Sequence, residues 1–176
     1  MPLSPSSSPK AIIVMGVSGC GKSSVGEALA SALSLPFIEG DILHPAANVD
    51  KMAKGIPLTD DDRWPWLSLI GEKMAEALQQ GEGIVVSCSA LKAIYRDHLR
   101  TATGNHLTFV YLHGSKALLS QRMGARTGHF MPPTLLDSQL ATLEIPTGEP
   151  GVVTVSIDQP VESIVAEALG GLANLA

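Results

Sequence analysis

The sequence GVSGCGKS, at residues 16–23, matches the pattern G-x-x-x-x-G-K-[ST] of a phosphate-binding loop. A short apolar run at 11–15 precedes this loop, and a segment with apolar residues at helical spacing follows it at 24–33. A strand, a glycine-rich loop and a helix, in this order, form the context that the motif needs. The stretch therefore predicts an α/β fold with a site for the phosphates of a nucleoside triphosphate.

Each part of the loop has a predicted task. The glycines allow backbone N–H groups to approach a polyphosphate closely, and the helix N-terminus adds unpaired donors and the positive end of a dipole. Lys22 is expected to act in catalysis by reaching the β- and γ-phosphates, and the Ser23 hydroxyl to bind Mg²⁺. The predicted contribution of this region to the ATP site is Gly16, Val17, Ser18, Gly19, Cys20, Gly21, Lys22, Ser23 and Ser24.

Length and charge limit the classes of protein to which the chain can belong. Its 176 residues suit one compact domain, which we place at 11–176, after a Pro- and Ser-rich lead-in at 1–10 that we expect to be disordered. The formal net charge is −5 and no basic stretch compensates it, which argues against a nucleic-acid partner. The apolar runs are too short for a membrane span. Cys20 and Cys88 lack the spacing of a zinc site or a disulfide framework, so we expect a cytoplasmic location.

Strand-like and helical segments alternate along the chain. The strand-like runs are 11–15, 37–38, 84–86, 107–112 and 152–157. Alternation of this kind is typical of an α/β domain with a parallel sheet. Between the second and third runs, residues 44–81 form a predicted helical insertion, which breaks near 55–57 and restarts with Thr59 as an N-cap. Residues 124–133 contain two glycines and two prolines and are expected to form a flap.

Two carboxylates follow the second strand-like run, at the edge of the sheet where ligands bind in open α/β folds. Asp41 is a candidate to accept the proton of an acceptor hydroxyl or to orient that hydroxyl; the alternative is a helix cap. Glu39 is a candidate to hold Mg²⁺ through a water molecule, and the alternative is a solvated strand end. These two positions predict an acceptor and metal region facing the loop.

Three cations in the following segments are candidates for binding a negatively charged substrate. Arg63 has the planar geometry that suits a carboxylate, although it could instead form a salt bridge with Asp60 or Asp61. Lys92 and Arg96 are four residues apart and share one helix face, which could point towards the substrate or towards solvent. We interpret all three as substrate-side residues.

Two further arginines lie at the entry of the flap. Arg122 and Arg126 are four residues apart, and a flap arginine that arrives on closure would stabilise charge on the transferred phosphoryl group. The alternative is a solvated charge stripe at a helix C-terminus. In the loop itself, Cys20 lies at a helix N-terminus beside a lysine, so we expect a reactive thiol there.

Longer blocks of sequence carry a more specific resemblance. The chain contains MGVSGCGKS, GDILHPAANVDKMAKGIPLTDDDRWPWL, CSALKAIYRDHLR and RTGHFMPPTLLDSQLATLE. These blocks resemble the gluconokinase family, which is similar in fold to shikimate and nucleoside-monophosphate kinases. The resemblance implies phosphorylation of D-gluconate on its 6-hydroxyl by ATP and Mg²⁺. It also implies a three-layer fold with a five-stranded parallel sheet of order 2-3-1-4-5, and a homodimer.

The resemblance also implies roles for individual positions. On the substrate side it points to Asp41, His44, Arg63, Lys92, Arg96 and, in the flap, His129. On the nucleotide side it places Arg122 and the segment Gln159-Pro160 around adenine, and Arg126 in the flap. Cys20 and Glu39 depart from the residues common in related kinases, and neither departure removes a required group.

Two other functions are compatible with a phosphate-binding loop. One is a kinase for another small acceptor, such as shikimate or a nucleoside monophosphate, which the substrate-side blocks disfavour. The other is a regulatory nucleotide switch, which would carry D-x-x-G after the third strand and N-K-x-D for guanine. Neither pattern occurs in this sequence.

Overall fold

The computed structural model describes residues 10–17, 19–125 and 134–175. For residues 123–125 and 134–135 it describes the backbone only. The elements in chain order are β1 (Ala11–Met15), α1 (Lys22–Leu33), β2 (Phe37–Glu39), a 3₁₀ turn (Gly40–Leu43), α2 (Ala46–Ala53), α3 (Asp60–Gln79), β3 (Ile84–Ser87), α4 (Ala93–Ala102), β4 (Leu107–His113), α5 (Lys116–Ala125), α6 (Thr134–Thr142), β5 (Val152–Ser156) and α7 (Val161–Asn174). Within these ranges, no helix is long and apolar enough to cross a membrane.

The five strands form one parallel sheet in the order β2-β3-β1-β4-β5. This order confirms the predicted topology. In the central strand β1, Ile13 lies between Val86 of β3 and Phe109 of β4, and all three side chains are inaccessible to solvent. Such continuous burial is expected of a parallel sheet that is covered by helices on both faces.

The helices pack in two groups around the sheet. Helix α1 contacts α7 and β3, whereas α3 contacts α4 and β3. The result is the three-layer α/β arrangement that the alternation of strands and helices predicts. In a parallel sheet of this kind the carboxyl ends of all strands meet at one edge, and the functional loops therefore lie together there.

A close backbone approach shapes that edge at the end of β2. A Cβ atom on Gly40 would lie 2.0 Å from the carbonyl oxygen of Ser87 at the end of β3, so a larger residue has no room. Glycine allows the chain to turn there from β2 into the 3₁₀ turn. This turn carries Asp41 to the edge of the sheet beside the phosphate-binding loop.

The predicted break and restart in the helical insertion are confirmed. Helix α2 ends at Ala53, and α3 begins after Thr59, whose Oγ1 accepts from the backbone N–H of Asp62 at 3.1 Å. Asp62 Oδ2 in turn accepts from the backbone N–H of Thr59 at 2.9 Å, which completes a capping box. Asp62 also accepts from Lys51 of α2 at 2.7 Å. The Lys51 hydrogen bond and the Thr59 backbone N–H lower the pKa of Asp62 to about 2.

Candidate active site

A cavity opens at the carboxyl edge of the sheet, the edge at which open α/β folds bind their ligands. It lies between the phosphate-binding loop, the 3₁₀ turn, the α2–α3 insertion and α6. Its lining residues are Lys22, Asp41, His44, Met52, Pro57, Leu58, Arg63, Trp66, Ser89, Leu91, Ser138 and Gln139. The structure thus brings together four residues that the sequence singled out, namely Lys22, Asp41, His44 and Arg63.

The phosphate-binding loop presents backbone donors at the start of α1. Gly21 is the N-cap residue, and its φ of 88° favours glycine. Because glycine has no side chain, it cannot cap the first N–H groups of the helix. The N–H groups of the first turn therefore lack a side-chain cap, as an anion site requires. Lys22 folds back over the loop and donates from Nζ to the carbonyl of Val17 at 3.2 Å. Ser18 lies outside the described residues.

Ser23 and Glu39 meet beside this loop. The Ser23 hydroxyl donates to one carboxylate oxygen of Glu39, and the Ser87 hydroxyl donates to the other at 2.5 Å. Ser87 itself accepts from the backbone N–H of Gly40 at 3.2 Å. Glu39 is therefore an oriented side chain, and the alternative of a plain solvated strand end does not hold.

The chemistry of this pair fits a magnesium ion. Mg²⁺ is usually held by one or two protein oxygens together with substrate phosphates and water. Ser23 and Glu39 offer a hydroxyl and a carboxylate at the phosphate end of the cavity. In the part of the chain that the structure describes, no group of three or more metal-ligating side chains forms a separate metal cage.

His44 is held as a neutral ring at the wall of the cavity. Its imidazole stacks on the indole of Trp66, with centroids 3.9 Å apart and planes at 16°. The side chain is only 3% exposed. Burial, assisted by the positive charge of Arg63, lowers the pKa of His44 from 6.5 to about 4. The ring is therefore uncharged at neutral pH.

Asp41 lies opposite this histidine. One of its carboxylate oxygens is 4.0 Å from His44 Nε2, which is too long for a direct hydrogen bond. The carboxylate is about one-third exposed and lines the same cavity as Lys22. A ligand hydroxyl between the two side chains would find an acceptor on one side and a ring nitrogen on the other.

Arg63 is 9% exposed and projects to the cavity from the first turn of α3. Its Nη1 donates to the hydroxyl of Tyr95 at 2.9 Å, and its guanidinium carbon lies 5.3 Å from the centre of that ring. The alternative of a salt bridge to Asp60 or Asp61 does not hold, because no described carboxylate lies within ion-pair distance of Arg63. A buried guanidinium that faces a cavity without a carboxylate partner is suited to binding an anion.

The other two predicted substrate-side cations lie elsewhere. Lys92 donates to Asp60 at 3.0 Å, and Asp60 also accepts from the hydroxyl of Tyr95. Because of these hydrogen bonds, the pKa of Asp60 lies below its usual value. Lys92 is thus a neighbour of the Arg63–Tyr95 pair and is not among the described residues that line the cavity.

Arg96 is a structural residue, which contradicts the prediction that it binds the substrate. It is fully buried, and its Nε and Nη2 donate to Glu149 at 3.0 and 2.6 Å. Its remaining hydrogen bonds go to the carbonyls of Ala90 and Glu144, at 2.8 and 2.9 Å. This guanidinium ties α4 to the segment after α6: four of its five N–H donors are used within the protein, and its complete burial keeps it from a ligand.

The nucleotide-side residues meet at the end of β5. Arg122 donates from Nη2 to the carbonyl of Ile157 at 2.6 Å. Gln159 donates to the carbonyl of Ser156 at 2.9 Å and directly precedes Pro160, the N-cap of α7. Arg122 is therefore next to the segment expected around adenine. The predicted flap residues Arg126 and His129 lie outside the described residues.

The expectation of a reactive thiol at Cys20 is wrong for this structure. Cys20 is fully buried, and its Sγ lies so close to the backbone that a Cβ atom on Gly16 would be 2.7 Å away. A thiol in this position is not accessible to an alkylating reagent. Cys88 is also fully buried, and burial raises its pKa to about 12.

Sequence reasoning missed several residues that shape the site. One is Trp66, whose Nε1 donates to the carbonyl of Gly40 at 2.8 Å. Tyr95 and Asn48 were not predicted as site residues. Asn48 follows His44 by four residues, and this spacing favours contact on a helix. The residues missed in the cavity lining are Met52, Pro57, Leu58, Trp66, Ser89, Leu91, Ser138 and Gln139.

Comparisons with known proteins extend over nearly the whole chain. A family model described as shikimate kinase matches residues 18–144. The gluconokinase of Gluconobacter oxydans (strain 621H) is 47% identical over 163 residues, which are 92% of this chain and 90% of that protein. The thermoresistant gluconokinase of Escherichia coli (strain K12) is 43% identical over 89% of this chain and 90% of that protein. A crystal structure of a gluconokinase from Sinorhizobium meliloti 1021 has 60% identity and a TM-score of 0.88, covering 96% of this chain and 94% of that one.

Proposed function

The chain belongs to the gluconokinase family, and we propose that it transfers the γ-phosphoryl group of ATP to the 6-hydroxyl of D-gluconate. The products of this reaction are 6-phospho-D-gluconate and ADP. The observation that carries the proposal is the cavity beside the phosphate-binding loop. In it, the buried Arg63, which has no ion-pair partner among the described residues, lies together with Asp41 and Lys22.

The proposed nucleotide site runs along the sheet edge from the loop to β5. The phosphates lie against the uncapped N-terminus of α1, with Lys22 on the γ-phosphoryl group. Adenine lies near Arg122 and Gln159-Pro160, which meet at the end of β5. Ser23 would hold Mg²⁺ directly and Glu39 would hold it through water. When bound, the ion neutralises charge that develops on the phosphate oxygens.

The proposed acceptor site has two chemically different ends. Arg63, supported by Tyr95, binds the carboxylate of gluconate, because a planar guanidinium pairs well with two carboxylate oxygens. Behind this pair, Lys92 balances the negative charge of Asp60. Asp41 lines the same cavity as Lys22, and we assign to it the end where the reacting hydroxyl must approach the γ-phosphate. With its carboxylate on Arg63, the open-chain substrate would direct its 6-hydroxyl towards Asp41 and ATP.

Proton and phosphoryl transfer follow from this arrangement. Asp41 accepts the proton of the acceptor hydroxyl as the oxygen attacks the γ-phosphorus, and the bond from phosphorus to the ADP oxygen breaks. Lys22 stabilises charge on the phosphoryl oxygens during this step. We assign the remaining stabilisation to Arg126, and a substrate contact to His129, on the basis of the family resemblance alone.

Product identification tests this function. Purified protein, ATP and Mg²⁺ are incubated with D-gluconate, and the product is examined by proton-coupled ³¹P NMR. A phosphate ester on the primary carbon 6 couples to two protons, whereas an ester on any secondary carbon couples to one. The proposal requires coupling to two protons. Coupling to one proton would show that another hydroxyl is phosphorylated. The absence of any ester would reject gluconate as the acceptor.

Two further properties are proposed on the family resemblance alone. These are a cytoplasmic location and a homodimer in solution. Light scattering on the purified protein measures the second property directly. A mass near twice the 18.4 kDa of the chain supports a dimer, and a mass near 18.4 kDa rejects it.

A further inference from the structure

Asn48 makes two hydrogen bonds that fix its own orientation. The residue is 3% exposed, and its amide nitrogen donates to the carbonyl of Asp62 at 2.8 Å. The same nitrogen lies 3.2 Å from Nδ1 of His44. If the amide were turned around, its oxygen would face the carbonyl oxygen of Asp62, and two acceptors would be in contact. The amide nitrogen must therefore point to both partners.

This orientation decides which nitrogen of His44 carries the proton. An amide N–H is always a donor, so the Nδ1 atom that faces it must be an acceptor without a proton. Both the Nδ1–H tautomer and the imidazolium ion would place two donors in contact. The ring is consequently the neutral Nε2–H tautomer, in agreement with the burial that lowers the pKa of His44 to about 4. Trp66 keeps the ring in one plane by stacking.

The protonated nitrogen is the one that faces the acceptor side of the cavity. His44 Nε2 lies 4.0 Å from a carboxylate oxygen of Asp41, with no direct hydrogen bond between them. A hydroxyl oxygen placed about 2.8 Å from each atom fits between them and uses both. It would donate its proton to Asp41 and accept from Nε2–H, which leaves one lone pair for attack on phosphorus.

We propose that Asn48 is a positioning residue, which keeps the His44 proton on Nε2 so that this N–H holds the acceptor hydroxyl against Asp41. The inference rests on the proposed function, since it needs a hydroxyl as the phosphoryl acceptor. In the reaction the hydroxyl O–H bond breaks and its proton goes to Asp41. The oxygen forms the new bond to phosphorus, and ADP leaves with the electron pair of the broken P–O bond. His44 keeps its proton throughout.

Nitrogen NMR of the histidine side chains tests the tautomer without substrate. The protein is labelled with ¹⁵N, and a long-range ¹H–¹⁵N correlation spectrum is recorded at pH 7. The His44 signals are assigned by their loss in His44→Gln. The expected spectrum has an unprotonated Nδ1 and a protonated Nε2. A protonated Nδ1, in either the other tautomer or the imidazolium ion, overturns the inference whatever the acceptor is.

Two variants then test the role of Asn48. Asn48→Asp puts an acceptor next to Nδ1 and should move the proton there, and Asn48→Ala should allow a mixture of tautomers. Both should lower kcat by about tenfold, the effect of one lost hydrogen bond to a reacting hydroxyl, with little change in the KM for ATP. Asp50→Asn on the exposed face of α2 is the matched control and should change neither property.

The outcomes separate this inference from the proposed function. A changed tautomer with an unchanged kcat overturns the positioning role, and so does an unchanged tautomer in both variants. If gluconate is not phosphorylated by the wild-type protein while the expected tautomer is seen, the proposed function fails and the assignment of the His44 proton is supported.

Discussion

The guanidinium of Arg63 donates from Nη1 to the hydroxyl of Tyr95 at 2.9 Å, and that hydroxyl donates onward to Asp60. Tyr95 is 1% exposed, so its hydroxyl has little access to water. The pair holds a buried cation at the wall of the cavity, and no carboxylate among the described residues pairs with Nη2 or Nε. In the proposed function this arrangement would hold the anion site ready before any ligand arrives, which would lower the cost of ordering the side chain on binding.

Replacing Arg63 with alanine should raise the KM for gluconate by roughly 10- to 100-fold, the range expected when a charged hydrogen-bond donor is lost. The KM for ATP should change little, because Arg63 lies on the acceptor side. Steady-state kinetics with each substrate varied separately measures both values. An unchanged KM for gluconate would show that the carboxylate is bound elsewhere, with Lys92 as the next residue to test.

Tyr95→Phe should also raise the KM for gluconate, but by only about threefold to tenfold, which is less than the rise expected for Arg63→Ala. The change removes one hydrogen bond from Arg63 and leaves its charge in place. Tyr111→Phe is the matched control, because Tyr111 is equally buried but contacts His113, outside the cavity lining. Equal effects of the two substitutions would remove the special role of Tyr95.

Glu39→Gln should raise the Mg²⁺ concentration needed for half-maximal activity by about tenfold, because it removes the charge but keeps the size of the side chain. Calorimetric binding of ADP gives a readout apart from turnover: Mg²⁺ should strengthen ADP binding less in the variant than in the wild-type protein. Glu27→Gln, on the exposed face of α1, is the control. The metal role of Glu39 is rejected if Mg²⁺ has the same effect on ADP binding in both variants.

The low pKa of His44 predicts how stability depends on pH. The folded ring has a pKa of about 4 and the unfolded ring one near 6.5, so the unfolded chain binds more protons between these values. The free energy of unfolding should therefore fall as the pH is lowered from 6.5 to 4, by an amount on the order of 3 kcal/mol. Urea unfolding at several pH values measures this slope.

His44→Gln isolates the contribution of this one group from the carboxylates that titrate in the same range. The variant should show a flatter dependence of the unfolding free energy on pH between 6.5 and 4. His106→Gln, at an exposed position, should keep the wild-type slope. A variant without His44 that retains the full slope would contradict a depressed pKa for this ring.

Glu149→Ala should destabilise the protein by on the order of 3 kcal/mol, because it leaves the fully buried guanidinium of Arg96 without its carboxylate partner. The KM for gluconate should change far less than in Arg63→Ala. Glu167→Ala, on the exposed surface of α7, is the control. A large rise in the gluconate KM at unchanged stability would restore Arg96 as a substrate-binding residue.

The features that could be predicted from the sequence are those with local signals. The glycines at 16, 19 and 21 mark the phosphate-binding loop because each has a backbone conformation that disfavours other residues. The capping box at Thr59 is recognisable from the polar residues that begin α3. The strand order 2-3-1-4-5 came from the family resemblance, and the structure confirms it.

Arg96 shows why contacts between distant segments of the chain could not be predicted from the sequence. Helical spacing correctly puts it one turn after Lys92, but it does not say what the helix face contacts. Its partners Glu144 and Glu149 lie about 50 residues further along the chain, and only the packing of α4 against that segment brings them together. The burial of Cys20 could not be predicted either, because the motif gives its position at the helix start but not the inward direction of its side chain.

The central claim is that the cavity accepts gluconate and recognises its carboxylate. The most direct test is ADP release from ATP and Mg²⁺ with D-gluconate, with D-glucitol, which has a neutral hydroxymethyl group in place of the carboxylate, with shikimate, and with no acceptor. We expect kcat/KM for gluconate to exceed that for D-glucitol by about 100-fold or more, and no release without an acceptor. Equal values for gluconate and D-glucitol, a preference for shikimate, or ADP release without any acceptor would contradict the account.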